Sequence, residues 1–338
     1  MKFSDYMLEW LSIKRSMLEV STYEAYCIYV TKHIIPYFAD AQLEDLKPMA
    51  VQRYISDKLE NGRCDGNGGL SRASVRKHIQ VIREALDNAV RFEYIEKNPA
   101  ALVVLPRKKR GEKDPEVFLE IEEAKSLLSA LDGKRIYPLV LITLLYGLRR
   151  SEVLGLTWSS VDFDEDLIYI NNTIVKNITI IEKKTTKNDT SRRKFYLFPE
   201  VKAELLKVRA AQEGYRRFRE LAGVPYHESD YCFTWEDGRL YRPDYIYRRF
   251  QNDLKNIGFK KMRFHDLRHS TASILFDRGW DIKDVQEWLG HADSSITSNI
   301  YVHYGRARKK LVAKDLEFLF SKGDKSTESL VDKRKNAH

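Results

Sequence analysis

Four separated segments of the chain hold polar residues whose types suit one reaction, and they lie at residues 146–152, 185–193, 265–269 and 289–303. An arginine guanidinium binds phosphate oxygens in a planar fork. Histidine and lysine transfer protons, and a tyrosine hydroxyl becomes a nucleophile once it loses its proton. Together these residue types suit one reaction, although each segment alone also has an ordinary structural interpretation.

The first segment connects two predicted helices through Gly147, which lets the chain turn sharply. Arg149 follows two residues later, and Glu152 lies one helical turn beyond it. An arginine at a helix end with a glutamate at i+3 is usually a surface ion pair. Arg150 is adjacent, so this segment alone does not decide which arginine would act.

The segment at 265–269 places His265 and Arg268 three residues apart, on one face of a predicted helix. His265 and His269, at i and i+4, also have a spacing that metal ligands use. The zinc-hydrolase pattern requires glutamate directly after the first histidine, however, and Asp266 stands there instead. Because no third ligand lies nearby in the sequence, we do not expect a metal ion.

The segments at 289–303 and 185–193 each contain a residue that can lose or donate a proton. Tyr301 lies ten residues after His291, but in a chain with 19 tyrosines such a residue usually packs. Lys187 lies in a polar turn between two predicted strands, where a lysine is usually solvated. Neither residue is informative by itself.

The order and spacing of these motifs are more specific than any one of them. Gly-Leu-Arg-x-x-Glu, His-x-x-Arg and Leu-Gly-His, with tyrosine ten residues after the last histidine, resemble the tyrosine recombinase (phage integrase) family. The resemblance extends over nearly the whole chain. It implies a site-specific DNA recombinase that cleaves and rejoins strands through a 3′-phosphotyrosine intermediate. Such an enzyme conserves the energy of the broken bond and needs no metal, cofactor or nucleotide.

The resemblance assigns catalytic roles, by motif position, to Arg149, His265, Arg268, His291 and Tyr301. A general acid is also required, and we choose Lys187 because it lies in the turn between the strands, four residues before Ser191. Both arginines stabilise the charge that develops on the phosphate, and the tyrosine is the nucleophile. The first histidine assists removal of the tyrosine proton, the second contacts the phosphate, and the lysine protonates the leaving 5′-oxygen. Glu152 orients its neighbours. Lys183 and Lys184 are close enough in sequence to stay alternatives for the general acid.

Hydrophobic periodicity predicts the elements that position these residues. A helix over 71–92 has Ser71 as its N-cap and an apolar stripe at Val75, Ile79, Ile82, Leu86 and Val90. Beyond residue 116 we expect helices and strands at 167–181 and 194–198, which are rich in β-branched and aromatic residues. The fold class is therefore mainly α with a small antiparallel β-sheet. In family terms it consists of an N-terminal helical core-binding (SAM-like) domain and a mixed α/β catalytic domain.

The clearest break in the chain is at residues 106–115. This segment is bounded by prolines and carries five positive and two negative charges, which is typical of an exposed linker. We therefore divide the chain into a helical DNA-binding domain at 1–105, a basic linker at 106–115, a catalytic domain at 116–321 and a disordered tail at 322–338. The linker would let the two domains close around a duplex.

Charge and cysteine content point to a partner and a compartment. The formal net charge of +9 favours an anionic partner. We expect double-stranded DNA, whose backbone would contact Arg107, Lys108, Lys109, Arg110, Arg192 and Arg193. The three cysteines are too far apart for a disulfide framework, and no apolar segment is long enough to span a bilayer. We therefore expect a cytoplasmic, nucleoid-associated bacterial protein with no membrane partner.

The resemblance also implies how the protein assembles and acts. It implies a monomer that becomes a homotetramer on DNA, with an accessory protein for excision or DNA bending. We favour integration or excision of a phage or conjugative element, with Xer-like resolution of chromosome or plasmid multimers as the alternative. A type IB topoisomerase would share the chemistry, whereas a non-catalytic DNA-binding protein would not need Tyr301.

Two features of the chain ends bear on that assembly. The apolar segment 312–320 after Tyr301 would dock on a neighbouring protomer or pack on its own domain, and the sequence favours neither. The helical domain begins almost at Met1. We therefore expect the additional N-terminal module, with which many mobile-element integrases bind arm-type sites, to be absent.

Overall fold

The computed structural model describes residues 1–107, 117–176, 180–183 and 193–290, with backbone alone for residues 175, 176 and 180–183. The chain divides into two compact units. One comprises Met1–Glu116 and Ile174–Glu182, and the other comprises Val117–Thr173 and Lys183–His338. The apolar segment at 312–320 and the tail at 322–338 lie outside the described residues, as does most of the predicted linker.

The described part of the first unit before residue 107 is helical, as the sequence predicts. Its helices are α1 (Phe3–Lys14), α2 (Val20–Tyr29), a π-helical turn (Val30–Ile34), α3 (Ile35–Tyr37), α4 (Pro48–Asn61) and α5 (Arg72–Arg91). Ser71 caps α5, because its Oγ accepts a hydrogen bond from the Ser74 amide at 3.1 Å. Proline opens α4 at a position where its missing amide costs no hydrogen bond.

The core of the first unit forms around the apolar stripe of α5. Four of the five predicted stripe residues are buried, namely Val75, Ile79, Ile82 and Leu86, and Val90 is half-buried. His78 is buried as well, and its Nδ1 lies 2.8 Å from the hydroxyl of Tyr54 on α4. Tyr6 of α1 donates to the carbonyl of Ala85 at 2.6 Å. Buried hydroxyls thus obtain hydrogen-bond partners while their rings fill the core.

The second unit is mixed. Its helices are α6 (Ile121–Leu131), α7 (Tyr137–Tyr146), α8 (Arg150–Leu154), a 3₁₀ turn (Trp158–Ser160), α9 (Pro199–Leu221), α10 (Pro243–Asn256), α11 (Asp266–Asp277) and α12 (Ile282–Leu289). The strands of the chain are β1 (Val161–Asp162), β2 (Leu167–Ile170), β3 (Thr173–Lys176), β4 (Ile180–Lys183) and β5 (Arg193–Tyr196). This order confirms the predicted class, mainly α with a small antiparallel sheet.

The sheet has the order β1-β2-β5, with β2 antiparallel to both neighbours. The register places Arg193 opposite Ile170 and Phe195 opposite Ile168. Because side chains alternate along a strand, Arg193 and Phe195 face the interior together, and both are buried. The strand predicted to begin at residue 194 therefore begins at an inward-facing arginine. β3 and β4 form a separate two-stranded pair.

α7 is the central helix of the second unit and is buried along almost its whole length. α11 packs against it, with the Oγ1 of Thr271 donating to the carbonyl of Leu144 at 2.9 Å. α12 in turn packs on α11 through Ala272, Phe276, Val285 and Leu289. The C-terminal ends of α7 and α12 therefore lie close to the N-terminal end of α11. In the described ranges no helix combines the length and apolar character that a membrane span requires.

Candidate active site

The reversal between α7 and α8 is built on Gly147. It ends α7 in the left-handed conformation, with φ of 63°, which glycine adopts without steric cost. A Cβ at this position would lie 2.1 Å from Cδ2 of Leu289, so the backbone is also in close contact with the end of α12. The sharp turn brings Arg149 to the start of α8.

Glu152 lies at the centre of a cluster of three arginines. It is 2% exposed, and its Oε1 accepts from Nη1 of Arg149 at 2.6 Å. Its Oε2 accepts from the Arg149 amide at 2.8 Å and from Nη2 of Arg193 at 2.7 Å. Nη1 of Arg268 lies 3.9 Å from the same oxygen. One carboxylate thus neutralises part of the charge of three guanidinium groups, and the cluster stays positive.

The ionisation of Glu152 follows from these neighbours. Burial raises the pKa of its carboxyl, but the positive charges of Arg193, Arg149 and Arg268 outweigh that effect and hold the pKa below its usual value. Burial lowers the pKa of Arg193 and of Arg268, and the Glu152 carboxylate opposes the change in each. Guanidinium groups stay protonated in proteins, so the cluster is ionised at neutral pH.

Arg268 joins the second motif to the first and the third. It lies in the first turn of α11, and 1% of its side chain is exposed. Its Nη1 donates to the carbonyl of Gly147 at 2.5 Å, and its Nη2 donates to the carbonyl of Leu289 at 2.6 Å. The guanidinium plane is therefore fixed by two backbone carbonyls from different helix ends, which leaves it little rotational freedom.

The C-terminal carbonyls of α12 accept hydrogen bonds from all three arginines. Arg193 donates to Trp288 at 3.0 Å and also to Leu289, while Arg149 donates to Gly290 at 3.2 Å. The last carbonyls of a helix have no partner within it and carry the negative end of the helix dipole. They therefore attract cations. Together with Glu152 they hold three like charges close together.

His265 lies at the N-terminus of α11, exposed at the surface, with its ring 4.8 Å from that of His269. Its pKa is lowered to about 4, mainly because the surrounding protein removes part of its hydration. Electrostatic interactions with His269, Arg268 and Arg149 lower the pKa further. The positive end of the helix dipole acts in the same direction. His265 is consequently neutral at pH 7 and able to accept a proton.

The structure separates the two adjacent arginines of the first motif. Arg149 is 35% exposed at its side chain and is held by Glu152 and Gly290. Arg150 is packed differently: burial lowers its pKa, and the Asp244 carboxylate of α10 opposes that shift. Arg149 is therefore the arginine that joins the cluster.

Several predicted site residues lie outside the described residues, namely Lys187, Arg192, His291, Tyr301, Lys108, Lys109, Arg110 and the alternative Lys184. Of Lys183, the last residue of β4, only the backbone is described. Arg107 is described and exposed. Across the described ranges, no group of three or more His, Cys, Asp or Glu residues is arranged to hold a metal ion.

Arg193 has surroundings that its sequence position did not suggest. The sequence groups it with Arg192 as a contact to the DNA backbone, but the structure buries its guanidinium against Glu152 and the end of α12. The sequence signal for this burial is the alternation of Arg193, Phe195 and Leu197, which are all buried in the structure. Beginning the predicted strand one residue earlier would place this arginine on the inner face.

Two family profiles match the chain. That of the Phage integrase family matches residues 117–308, and that of the phage integrase N-terminal SAM-like domain matches residues 2–59. A XerC-like tyrosine recombinase of Caldanaerobacter subterraneus is 29% identical over 295 residues, covering 81% of this chain and 72% of that protein. The ICEBs1 integrase of Bacillus subtilis is 27% identical over 300 residues, covering 86% of this chain and 76% of that protein.

Solved structures share the fold. The Tn1549 transposon integrase in complex with a circular intermediate DNA has a TM-score of 0.73 at 19% identity, covering 92% of this chain and 99% of that chain. A lambda integrase tetramer bound to a Holliday junction has a TM-score of 0.65 at 15% identity, covering 88% of this chain and 76% of that chain. At these identities the likeness concerns the arrangement of helices and strands.

Proposed function

The chain belongs to the phage integrase family, and from that premise we propose that it integrates or excises a mobile genetic element. It is a tyrosine-type site-specific DNA recombinase, which breaks and rejoins DNA strands. Relatives that support the mobile-element role include the integrase of ICEBs1 and, by fold, the Tn1549 transposon integrase.

One observation carries the proposed chemistry. Arg149 and Arg268 come from motifs more than a hundred residues apart, yet both guanidinium groups lie beside the carboxylate of Glu152, at 2.6 and 3.9 Å. Two fixed guanidinium groups suit the two non-bridging oxygens of a phosphodiester. Because they are held before DNA arrives, little reorganisation is needed when negative charge develops on the phosphate.

We assign the remaining steps to residues by motif. Tyr301 attacks the phosphorus, the bond from phosphorus to the 5′-oxygen breaks, and the 3′-phosphate stays on the tyrosine. His265 accepts the phenolic proton, which its neutral state allows. Lys187 donates a proton to the leaving 5′-oxygen, and His291 contacts the phosphate. Attack by an incoming 5′-hydroxyl reverses each step.

The positive balance of the cluster supports a phosphate ligand. Glu152 supplies one negative charge against three arginines, so the cluster retains an excess of positive charge that a phosphate would neutralise. The glutamate restrains the arginines without cancelling them. A second carboxylate in the same place would reduce that excess charge and weaken the attraction.

The proposed assembly is based on a structural relative. The lambda integrase tetramer on a Holliday junction supports a homotetramer on double-stranded DNA, formed from free monomers. We retain a helical DNA-binding domain at 1–105, a basic linker at 106–115, a catalytic domain at 116–321 and a tail at 322–338. We also propose an accessory protein for excision or DNA bending, a cytoplasmic location and association with the nucleoid.

The test uses suicide duplexes that carry the recognition site, selected by binding from a random pool. Wild type is expected to give an SDS-resistant DNA complex with EDTA present, and Tyr301→Phe is expected to give none. Equal trapping by both proteins would contradict the nucleophile assignment. Relaxation of supercoiled plasmids lacking the site would indicate a topoisomerase instead.

A further inference from the structure

Arg193 occupies a position from which it touches three parts of the proposed site. It is the first residue of β5 and follows Lys187 by six residues. Its Nη2 donates to Glu152 at 2.7 Å, and its Nη1 donates to the carbonyl of Trp288 at 3.0 Å and to that of Leu289. One side chain thus joins the start of β5, the carboxylate between the arginines, and the end of α12.

The same side chain lies against Gly290. This glycine has φ of 63°, and a Cβ there would be 3.0 Å from Cδ of Arg193 and 3.1 Å from both Nε and Nη1. The backbone of Gly290 therefore turns directly over the arginine, immediately before His291. A side chain at residue 290 would displace the guanidinium, so the glycine of the Leu-Gly-His motif is needed for this packing as well as for its backbone conformation.

Aromatic rings enclose the arginine on its other side. The Cζ of Arg193 lies 5.6 Å from the ring centroid of Phe195, and the ring of Phe195 lies 4.8 Å from that of Trp288 in an edge-to-face arrangement. Only 6% of the Arg193 side chain is exposed. The two terminal nitrogens of this enclosed group are directed at Glu152 and at the end of α12.

We propose that Arg193 is a positioning residue for strand cleavage. It acts through Glu152, and hence through Arg149 and Arg268, and through the end of α12, from which the chain continues to His291. This rests on the proposed function. The planar fork matters, because one nitrogen binds the carboxylate while another binds the helix end. A lysine at this position would carry the charge but could not span both acceptors.

The first test measures the rate of covalent trapping at saturating suicide duplex for Arg193→Lys and Arg193→Met. We expect a fall of roughly 10- to 100-fold for both, because small displacements of catalytic groups are costly. DNA affinity and its salt dependence are expected to stay at wild-type values. Lys194→Gln, an exposed residue on the same strand, is the matched control and is expected to cleave normally.

Other roles for Arg193 give different results. A residue that contacts phosphate would weaken DNA binding and reduce the salt dependence when it is changed. A residue that only stabilises the fold would lower the melting temperature of Arg193→Lys without slowing cleavage by the folded fraction. Either result would overturn the proposal, as would full activity of Arg193→Lys.

A measurement on the free protein separates this proposal from the proposed function. Hydrogen exchange of the amides at residues 286–290 is expected to accelerate in Arg193→Met and to stay at the wild-type rate in Lys194→Gln. Unchanged exchange would show that Arg193 does not hold the end of α12. If wild type itself traps no DNA, the recombinase assignment fails, and the exchange result still decides the role of Arg193.

A double-mutant cycle of Glu152→Gln and Arg193→Met tests the path through Glu152. The double variant removes one negative and one positive charge, so the net charge of the cluster stays as in wild type. In a double-mutant cycle on the cleavage rate, the combined loss is expected to be smaller than the product of the two single losses. Independent, multiplicative losses would contradict a path through Glu152.

Discussion

Arg268 donates a hydrogen bond to the backbone carbonyl of Gly147, although the two residues are 121 positions apart in the sequence. The bond joins the glycine turn of the first motif to the arginine of the second. Nη2 of Arg268 donates to the carbonyl of Leu289, which directly precedes the glycine of the third motif. Three short motifs are therefore connected through one buried guanidinium, and changing any of them should affect the others.

Removing the charge of Glu152 is expected to destabilise the second unit. In Glu152→Gln three arginines face each other without a carboxylate, and breaking a buried ion pair costs about 3–5 kcal/mol. The free energy of unfolding, measured by urea denaturation, should fall by an amount of that order. Glu165→Gln is the control, because Glu165 is exposed on a turn and its change should leave stability unaltered.

Stability should depend on Glu152 at acidic pH. Since its folded pKa lies below its ordinary value, the unfolded chain takes up the proton first as the pH falls. The contribution of Glu152 is complete above about pH 4.5 and is lost as the pH falls through the lower, folded pKa. The urea midpoint of wild type should therefore decrease more steeply below pH 4.5 than that of Glu152→Gln. Parallel curves would contradict this assignment.

The ring of His265 should titrate far below an ordinary histidine. Its pKa is lowered to about 4, whereas an unperturbed histidine titrates near 6.5. An NMR titration of the free protein should show its ring signal unchanged between pH 8 and pH 6. His265→Asn identifies the signal by removing it. A midpoint near 6.5 for His265 would contradict the lowered pKa.

Alanine at Gly290 should be more harmful than alanine at Gly258. Both glycines have positive φ, of 63° and 66°, so each substitution carries the left-handed penalty of about 1–2 kcal/mol. A Cβ at Gly258 would meet nothing within 4 Å, whereas one at Gly290 would approach Arg193 to 3.0 Å. Both variants should lose similar backbone stability, but only Gly290→Ala should lose the rate of covalent trapping. Equal trapping rates would count against the packing argument.

Lysine should replace Arg150 more readily than Arg149. Arg149 binds Glu152 and the carbonyl of Gly290 with different nitrogens, which lysine cannot reproduce. Loss of a preorganised donor at a transition state typically costs about 10²–10³ in rate. Covalent trapping by Arg149→Lys should fall by that order, and Arg150→Lys should stay within a few-fold of wild type. The reverse order would exchange the two assignments.

The basic linker should contribute to the salt dependence of DNA binding. Changing Arg107, Lys108, Lys109 and Arg110 to glutamine removes up to four phosphate contacts, each of which accounts for about 0.9 of the salt slope. Affinity should fall at low salt, and the plot of its logarithm against that of the salt concentration should become flatter. An unchanged slope would exclude the linker from the DNA interface.

The sequence predicted most of the local structure, because local structure follows from residue type and periodicity. The stripe of α5, the Ser71 cap and the glycine turn at Gly147 each depend on neighbours a few residues away. The ordered motifs also indicated the family, since the residue types of a phosphate site are chemically restricted. Both predictions used information that lies within short stretches of the chain.

Only the tertiary structure decided which groups are buried together. The sequence placed Arg193 beside Arg192 as a DNA contact, and nothing within that segment shows that its guanidinium meets Glu152, 41 positions earlier. The shared role of the α12 carbonyls was equally invisible, because backbone groups carry no sequence signal. Burial and long-range pairing depend on how helices and strands pack in three dimensions. The types of the catalytic residues were therefore written in the sequence, while the packing that orients the described arginines was decided by the fold.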